Sequence, residues 1–262
     1  MHNLIYFLLA ICATTVGSLS GMGGGVIIKP LMDALGDYDV QTIGVISSIT
    51  VFTMAVVSVF KQMKSKEKIP FKTAIPLAVG SVLGGFFGQR ILNYIVGALN
   101  KNSIVTVVQN VVLAALILCV IVYMKNKSHI NGKSFDGIIV SLGVGVFLGF
   151  CSSFLGIGGG PINVALIIYL FSYSTKTATV CSLVTILFAQ MSKLCTTALT
   201  TGFADYDLSI VPLMAIGAVF GGFIGASLNK KLSENNVEKA FNGVQLLVFT
   251  ITIFNIIKSI SF

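Results

Sequence analysis

The sequence predicts an all-α polytopic membrane protein made of two repeated halves with four hydrophobic blocks each. Composition is the first reason: 55% of the 262 residues are hydrophobic and only 10% are charged. A soluble domain carries about 25% charged residues, so this chain could not cover its surface in water. The net charge of +8 does not indicate nucleic-acid binding, because the lysines lie in short segments between apolar runs, as the positive-inside rule expects.

Uncharged runs divide the chain into eight blocks. They cover residues 3–28, 40–60, 73–89, 102–124, 137–175, 177–192, 208–229 and 240–257. A transmembrane helix needs about 20 apolar residues, so these blocks leave almost no chain for a water-soluble domain. We therefore expect a multi-pass protein of the cell (cytoplasmic) membrane, in contact with the lipid bilayer and not with nucleic acid.

The chain repeats its own landmarks at an offset of 135 or 136 residues. Residues 21–25 (GMGGG) recur as residues 156–160 (GIGGG). Further landmarks recur in the same order: Ser47 as Ser182, Thr50 as Thr185, Pro76 as Pro212, and Gln109 as Gln245. This order indicates a duplicated unit, with residues 1–127 as the first transmembrane repeat, 128–133 as a cytoplasmic linker and 134–262 as the second repeat.

The first block of each half is too long for one crossing. At 1.5 Å per residue, residues 3–35 would form a helix of about 50 Å and residues 137–173 one of about 55 Å, whereas the hydrocarbon core is about 30 Å thick. Glycine is a poor helix former, and the GxGGG motifs interrupt both blocks. Each block is therefore predicted to be two half-helices that either bend across the membrane or fold back as a re-entrant hairpin.

Equivalent loops of the two halves carry opposite charge. The loop over residues 61–72 contains five lysines, whereas its counterpart contains Asp205 and Asp207 and no basic residue. Positive loops lie inside, so the two loops are expected on opposite sides of the membrane. Opposite sides require an odd number of crossings per half, which three crossings and one re-entrant hairpin provide. Inverted repeats are therefore favoured over parallel repeats.

The glycine breaks predict an anion site near the membrane midplane. A half-helix that begins at a break presents unpaired N–H groups and a positive dipole end, and such an end binds anions without a basic side chain. Secondary transporters place paired half-helix ends at one midplane site. The alternative, that glycines only allow close helix packing, is preferred for the clusters in residues 84–88 and 221–225.

The candidate substrate-binding residues are the glycines of the breaks and nearby hydroxyl, amide and ammonium groups, because hydroxyls and amides donate to anion oxygens without a titratable charge. The set is Ser20, Gly23, Gly24, Gly25, Ser47, Ser48, Thr50, Ser153, Gly158, Gly159, Gly160, Asn163, Ser182, Thr185 and Lys193. For the hydroxyls, bonding to their own helix backbone stays open as an alternative. For Lys193 the alternatives are a functional intramembrane charge and a lysine that extends to the interface. Lys29 lies one turn before Asp33 and is placed to pair with it.

At the two glycine motifs the sequence resembles the TauE/SafE sulfite exporter family, also called the 4-toluene sulfonate uptake permease family. The resemblance covers nearly the whole chain. The first motif continues to Pro30, as the family pattern often does, whereas the second departs from it with Pro161 directly after the glycines. The resemblance implies a secondary transporter of sulfur-containing anions such as sulfite, sulfonates or sulfoacetate.

Several alternatives remain open at this point. One is a carrier of thiosulfate that uses Cys151 and Cys181 to contact sulfur, and another is an anion channel with the same pore. A membrane scaffold without a transported solute is the third. The sequence contains no metal-ligand spacing, nucleotide-binding loop or nucleophile–base pair, so we expect neither an enzyme nor a cofactor. Proton or sodium is the expected coupling ion of a carrier, and a homo-oligomer is compatible with the sequence.

Overall fold

The computed structural model describes residues 2–63, 70–99, 102–127, 129–130, 132–135 and 137–260. The helices are α1 (His2–Ser20), α2 (Gly25–Leu35), α3 (Val40–Met63), α4 (Phe71–Leu99), α5 (Asn102–Asn126), α6 (Ile138–Phe154), α7 (Pro161–Phe171), α8 (Thr175–Thr200), α9 (Val211–Lys231) and α10 (Glu234–Ile260). Lys64, Lys66 and Lys68 of the basic loop, and Ser128 and Asn131 of the linker, lie outside the described residues.

In the part of the chain that the structure describes, six helices are long and apolar enough to cross a membrane, namely α3, α4, α5, α8, α9 and α10. Many large apolar side chains point outward from the bundle, and Ile139 and Leu199 are each 86% exposed. Lipid accommodates such a surface, whereas monomeric soluble proteins rarely carry large exposed apolar patches. The expected all-helical, polytopic membrane protein is confirmed.

The first broken block folds back on itself. At the open end, the Tyr6 hydroxyl donates to Asp37 Oδ2 at 2.5 Å, and the rings of Tyr6 and Tyr38 lie 6.0 Å apart. At the closed end, the N–H of Gly23 donates to the carbonyl of Gly17 at 3.4 Å. Because the start of α1 contacts the turn that follows α2, the two half-helices form a hairpin that returns to the end of the bundle where it begins.

The second broken block has the same form. The N–H of Lys133 donates to the carbonyl of Tyr169 at 2.7 Å, and the N–H of Phe135 donates to the carbonyl of Leu170 at 3.0 Å. The segment that leads into α6 therefore lies beside the end of α7. Of the two forms that the sequence allows for a broken block, the described contacts match the fold-back form in both places.

Each hairpin packs on a long helix from the other half of the chain. Helix α4 packs on α6, and α9 packs on α1. At both crossings a glycine lies where a side chain would collide with the neighbouring helix. A Cβ on Gly84 would overlap the carbonyl oxygen of Val146, and one on Gly221 would overlap the Thr14 hydroxyl. Small residues let helix backbones approach closely in membranes, so these glycines act in packing, as the sequence suggests.

Side-chain contacts show which loops share an end of the bundle. At one end Tyr38 lies beside Ser209, and the Lys258 ammonium donates to the carbonyl of Ala34 at 2.8 Å. We call this the acidic end, because Asp37, Asp39, Asp205 and Asp207 lie in its loops.

At the opposite end, which we call the basic end, Lys127 pairs with Glu238 at 2.9 Å. The hydroxyls of Thr73 and Tyr173 lie 2.7 Å apart there. The other lysines at this end include Lys61, Lys72, Lys125, Lys133, Lys176, Lys230 and Lys231. The first hairpin therefore opens at the acidic end and the second at the basic end.

Candidate functional site

The turns of the two hairpins meet inside the bundle, and residues 21–25 and 156–160 together are called the junction. A Cβ on Gly23 would lie 2.6 Å from the carbonyl oxygen of Gly158, and one on Gly25 would overlap the carbonyl oxygen of Ile157. All ten junction residues are buried. Main chain from one half therefore contacts main chain from the other, without side chains between them.

Glycine is required in the junction for two separate reasons. Gly23 has φ +78°, Gly158 +65° and Gly159 +119°, and other residues rarely adopt these angles. Gly24 has an ordinary helical φ of −65°, but its Cβ would lie 2.9 Å from the Thr14 methyl group. The motif therefore combines positive φ with close approach, and both exclude larger residues.

The two inner half-helices begin at the junction without side-chain caps. Helix α2 starts after Gly24 and α7 after Gly160, and among the described residues no side chain caps either start. The first N–H groups of a helix lack a partner within it, although here the N–H of Ile27 donates to the carbonyl of Gly24 and that of Asn163 to the carbonyl of Gly160, both at 3.1 Å. The helix dipole makes this end positive. Pro161 has no N–H, so α7 offers fewer donors than α2 and the two half-sites are unequal.

The matched serines of α3 and α8 stand in different positions relative to the junction. The Ser182 hydroxyl donates to the carbonyl of Gly21 at 2.6 Å. The Ser47 hydroxyl lies 2.7 Å from the place where a Cβ on Gly25 would stand, and it is buried without a hydrogen-bond partner among the described residues. An unpaired donor therefore lies at the start of α2.

The other candidate hydroxyls mostly bond their own helices. Ser20 donates to the carbonyl of Val16, Ser48 to Gly44, Thr50 to Ile46 and Thr185 to Cys181, at 2.6 to 2.9 Å. Such bonds occupy the hydroxyl hydrogen, so in this conformation these groups do not point a donor at the junction.

Two further candidates have buried polar atoms without partners. Both amide atoms of the Asn163 side chain, on the first turn of α7, are buried and unbonded within the described residues. The Ser153 hydroxyl is also unbonded, but it faces α4, where a Cβ on Gly85 would lie 3.3 Å from it. Asn163 therefore stays a candidate at the second half-helix start, and Ser153 lies on the α4 side.

Lys193 lies inside the protein rather than at an interface, because only 1% of its surface is exposed. Its side-chain nitrogen donates to the carbonyl of Gly44 at 3.0 Å. Lys29 lies nearby and pairs with Asp33 at 2.8 Å, as the spacing of these two residues suggests. The side-chain amide of Asn110 lies 3.4 Å from the same Asp33 oxygen.

Sequence reasoning missed Asn110 as a member of this polar cluster. The repeated landmarks include its neighbour Gln109 but not Asn110. The amide of Gln109 donates to the carbonyl of Phe154 at 2.6 Å. Gln245, the counterpart of Gln109, has both amide atoms buried and unbonded within the described part of the chain. The matched glutamines therefore also differ between the halves, and no local signal in the sequence indicates which one is bonded.

The site offers donors for anion oxygens rather than groups for bond-breaking chemistry. Its components are first-turn N–H groups, the Ser47 hydroxyl and the Asn163 amide, with the Lys193 ammonium near Gly44. In the described part of the chain no three His, Cys, Asp or Glu side chains are placed to hold a metal ion. Cys151 and Cys181 are buried free thiols.

Comparison with known proteins gives consistent matches over most of the chain. The family model described as "Sulfite exporter TauE/SafE" matches residues 6–251. The "Probable membrane transporter protein YunE" of Bacillus subtilis is 26% identical, with 95% of this chain and 96% of the relative covered. The "Probable membrane transporter protein MJ0441" of Methanocaldococcus jannaschii is 28% identical, with 85% and 84% covered. No solved structure matches the chain.

Proposed function

Because the chain belongs to the sulfite exporter TauE/SafE family of membrane transporters, we propose that it carries small sulfur-containing anions across the cell membrane. Sulfite, sulfonates and sulfoacetate are the substrates we propose. The family match and the transporter names of the relatives agree that the protein is a transporter and not an enzyme.

We place the anion at the junction, against the start of α2. The observation that carries this proposal is the Ser47 hydroxyl, which is buried, unbonded and next to Gly25. A buried polar group without a partner costs about 1–3 kcal/mol, and an anion oxygen would remove that cost. The uncapped first turn of α2 supplies N–H donors beside it, and a positive helix end favours a negative ligand.

The second half of the site is built differently. Asn163 supplies a side-chain amide where Pro161 has removed a backbone donor. An amide NH₂ has two donors, which suit two oxygens of a sulfite or sulfonate group. The two turns of the junction contact each other through main chain, with no space between them for a side chain. The anion therefore reaches the half-helix starts only when the two hairpins separate. Such a separation of half-helix ends is how a carrier would alternate access.

We propose that the halves are inverted repeats and that the basic end is cytoplasmic. Two observations support this. The hairpins open at opposite ends of the bundle, and the lysine-rich loops share one end while the acidic loops share the other. The positive-inside rule places the lysine-rich end in the cytoplasm.

The proposed orientation predicts opposite labelling of two single cysteines. In a background without the five native cysteines, Ser65→Cys should react with an impermeant maleimide only from the cytoplasmic side. Tyr206→Cys should react only from outside. Ser233→Cys, in the exposed turn between α9 and α10, is the control and should behave like Ser65→Cys. Labelling of Ser65→Cys and Tyr206→Cys from the same side would contradict the inverted arrangement.

Ser47→Ala tests the assigned site. We expect wild-type protein in detergent to gain thermal stability in the presence of sulfite or methanesulfonate. Ser47→Ala should lose about 1 kcal/mol or more of anion binding, or roughly fivefold to tenfold in affinity, because one donor to the anion is removed. The measurement is apparent melting temperature against anion concentration.

Thr53→Val is the matched control for Ser47→Ala. It removes a hydroxyl from the same helix, but that hydroxyl donates to the carbonyl of Ile49 at 2.9 Å. Its anion response should equal that of wild type. An equal loss in both variants, or no loss in Ser47→Ala, would remove Ser47 from the site.

A thiosulfate carrier is the second candidate within the same transport class. Cys181 is fully buried and precedes Ser182, whose hydroxyl bonds the junction. Including thiosulfate in the anion series decides between the two: a larger stabilisation by thiosulfate than by sulfite, lost in Cys181→Ser, favours this candidate. Concentrative uptake that an uncoupler abolishes distinguishes a carrier from a channel.

A further inference from the structure

We propose that Lys193 couples anion transport to protons: its amine is neutral in the empty carrier and takes up one proton when the anion binds. The inference rests on the proposed function, because it concerns the same site. It names the coupling ion, the residue that carries it and the expected stoichiometry of one proton per anion.

Lys193 lacks the partners that a permanent buried charge requires. The described structure gives its ammonium one acceptor, the carbonyl of Gly44 at 3.0 Å, although an ammonium has three donors. The Ser48 hydroxyl donates to the same carbonyl at 2.6 Å. A buried ion that is neither paired nor fully hydrogen-bonded is strongly disfavoured, so a neutral amine suits the empty site.

The nearby charges strengthen this argument. Lys29 reaches the same part of α3 as Lys193, because its methylenes and the Cα of Gly44 both border the place where a Cβ on Gly156 would stand, and its own charge is balanced by Asp33 at 2.8 Å. With Lys193 neutral, the cluster of Lys29, Asp33 and Lys193 has a net charge of zero. With Lys193 protonated, the same cluster has one unbalanced positive charge. A monovalent anion at the junction would balance it, so proton and anion are each favoured by the presence of the other.

Other titratable groups do not replace Lys29 and Asp33 in the charge balance around Lys193. Helices α6 and α7 contain no charged residue, although α6 carries the Cys151 thiol. Arg90 of α4 is exposed and lies over the Phe86 ring at 4.6 Å. On α3, α4, α8 and α10 the remaining charged residues lie in the first two turns or the last turn of the helices: Lys61, Lys72, Lys176, Glu234, Glu238, Lys239 and Lys258.

The cluster is continuous with the junction. The Cα of Gly44 lies 3.6 Å from the place where a Cβ on Gly156 would stand, and the Lys29 methylenes lie 3.4 Å from it. Gly44 is one helical turn before Ser47, the residue beside the start of α2. Lys193 therefore contacts the same stretch of α3 that lines the proposed anion site, which brings its charge close to the bound anion.

The experiment compares wild type, Lys193→Arg and Lys193→Met across pH 6 to about 9. Anion affinity is measured from the thermal shift in detergent, with methanesulfonate, whose charge is constant in this range, and with sulfite. Proton uptake on anion addition is followed with an indicator dye in weak buffer. Arginine stays charged in proteins and methionine is never charged. Lys193→Arg therefore represents the protonated state of Lys193, and Lys193→Met represents the neutral state.

The wild type should bind the anion more weakly as pH rises, by up to about tenfold per pH unit where the amine is deprotonated in the empty protein. It should take up about one proton per bound anion there. Lys193→Arg should bind with little dependence on pH and take up no proton, whereas Lys193→Met should bind weakly at every pH. A structural role would not produce this difference between pH profiles.

Two results would overturn the inference while leaving the proposed function intact. One is wild-type anion binding without proton uptake, and the other is the same pH profile in wild type and Lys193→Arg. A wild type that binds neither sulfite nor methanesulfonate at any pH contradicts the proposed function itself, and with it the inference.

Lys29→Met leaves the charge of Asp33 unbalanced and should therefore strengthen proton binding at Lys193. The pH profile of anion binding in this variant should lie at higher pH than that of the wild type.

Discussion

Gly84→Ala is expected to destabilise the protein by about 1–3 kcal/mol, because α4 and α6 touch at this position through main chain. The added Cβ would overlap the carbonyl oxygen of Val146 and lie 2.7 Å from the nitrogen of Phe150. Backbone atoms on a packed helix cannot move aside as the end of a flexible side chain can. The apparent melting temperature in detergent should fall, and the yield of folded protein should fall with it.

Gly97→Ala on the same helix is the matched control. Nothing lies within 4 Å of a Cβ at Gly97, so the substitution should instead stabilise α4 by roughly 0.5–1 kcal/mol through helix propensity. The same glycine-to-alanine change is therefore expected to lower the stability at Gly84 and to raise it at Gly97. Equal melting temperatures for both would contradict the assignment of Gly84 to a close helix crossing.

Gly25→Ala is expected to abolish anion binding. The backbone of Gly25 is helical, so alanine could adopt its conformation, but its Cβ would overlap the carbonyl oxygen of Ile157 and lie 2.7 Å from the Ser47 hydroxyl. The methyl group would occupy the space that we assign to an anion oxygen and would also push the hairpins apart. The thermal shift with sulfite or methanesulfonate should disappear, and the melting temperature without anion should fall.

Two further glycines make this prediction more specific. Gly159→Ala should have a similar effect, because Gly159 has φ +119° and its Cβ would lie 2.5 Å from the Ile186 side chain. Gly24→Ala should be milder, because the contact is mainly with Thr14 of the same hairpin. Gly243→Ala in α10, with nothing within 4 Å, is the control. A Gly25→Ala protein that is folded and responds to anions like wild type would contradict the site.

The breaks in the first block of each half could be predicted from the sequence because they are local. Runs of 33 and 37 residues exceed one crossing, and the glycines mark where the helices stop. The structure ends α1 at Ser20 and begins α2 at Gly25, and it ends α6 at Phe154 and begins α7 at Pro161. Loop charge is also local, and it separates the acidic from the basic loops.

The contacts that define the site could not be predicted because they join distant segments. The fold-back of the first hairpin is marked by Tyr6 and Asp37, whose spacing carries no recognisable pattern. The side-chain nitrogen of Lys193 donates to the carbonyl of Gly44, which lies 149 positions away in the sequence. Ser47 and Ser182 are equivalent in sequence, yet among the described residues the Ser182 hydroxyl donates to the carbonyl of Gly21, whereas the Ser47 hydroxyl has no partner.

Sulfite exchange in proteoliposomes tests whether the protein carries this anion through the junction. Vesicles loaded with unlabelled sulfite and containing wild-type protein should accumulate labelled sulfite from outside faster than protein-free vesicles. The exchange should be lost with Gly25→Ala and kept with Gly243→Ala. Exchange in wild-type vesicles no faster than in protein-free vesicles, with folded protein present, would contradict the account, as would equal exchange by wild type and Gly25→Ala.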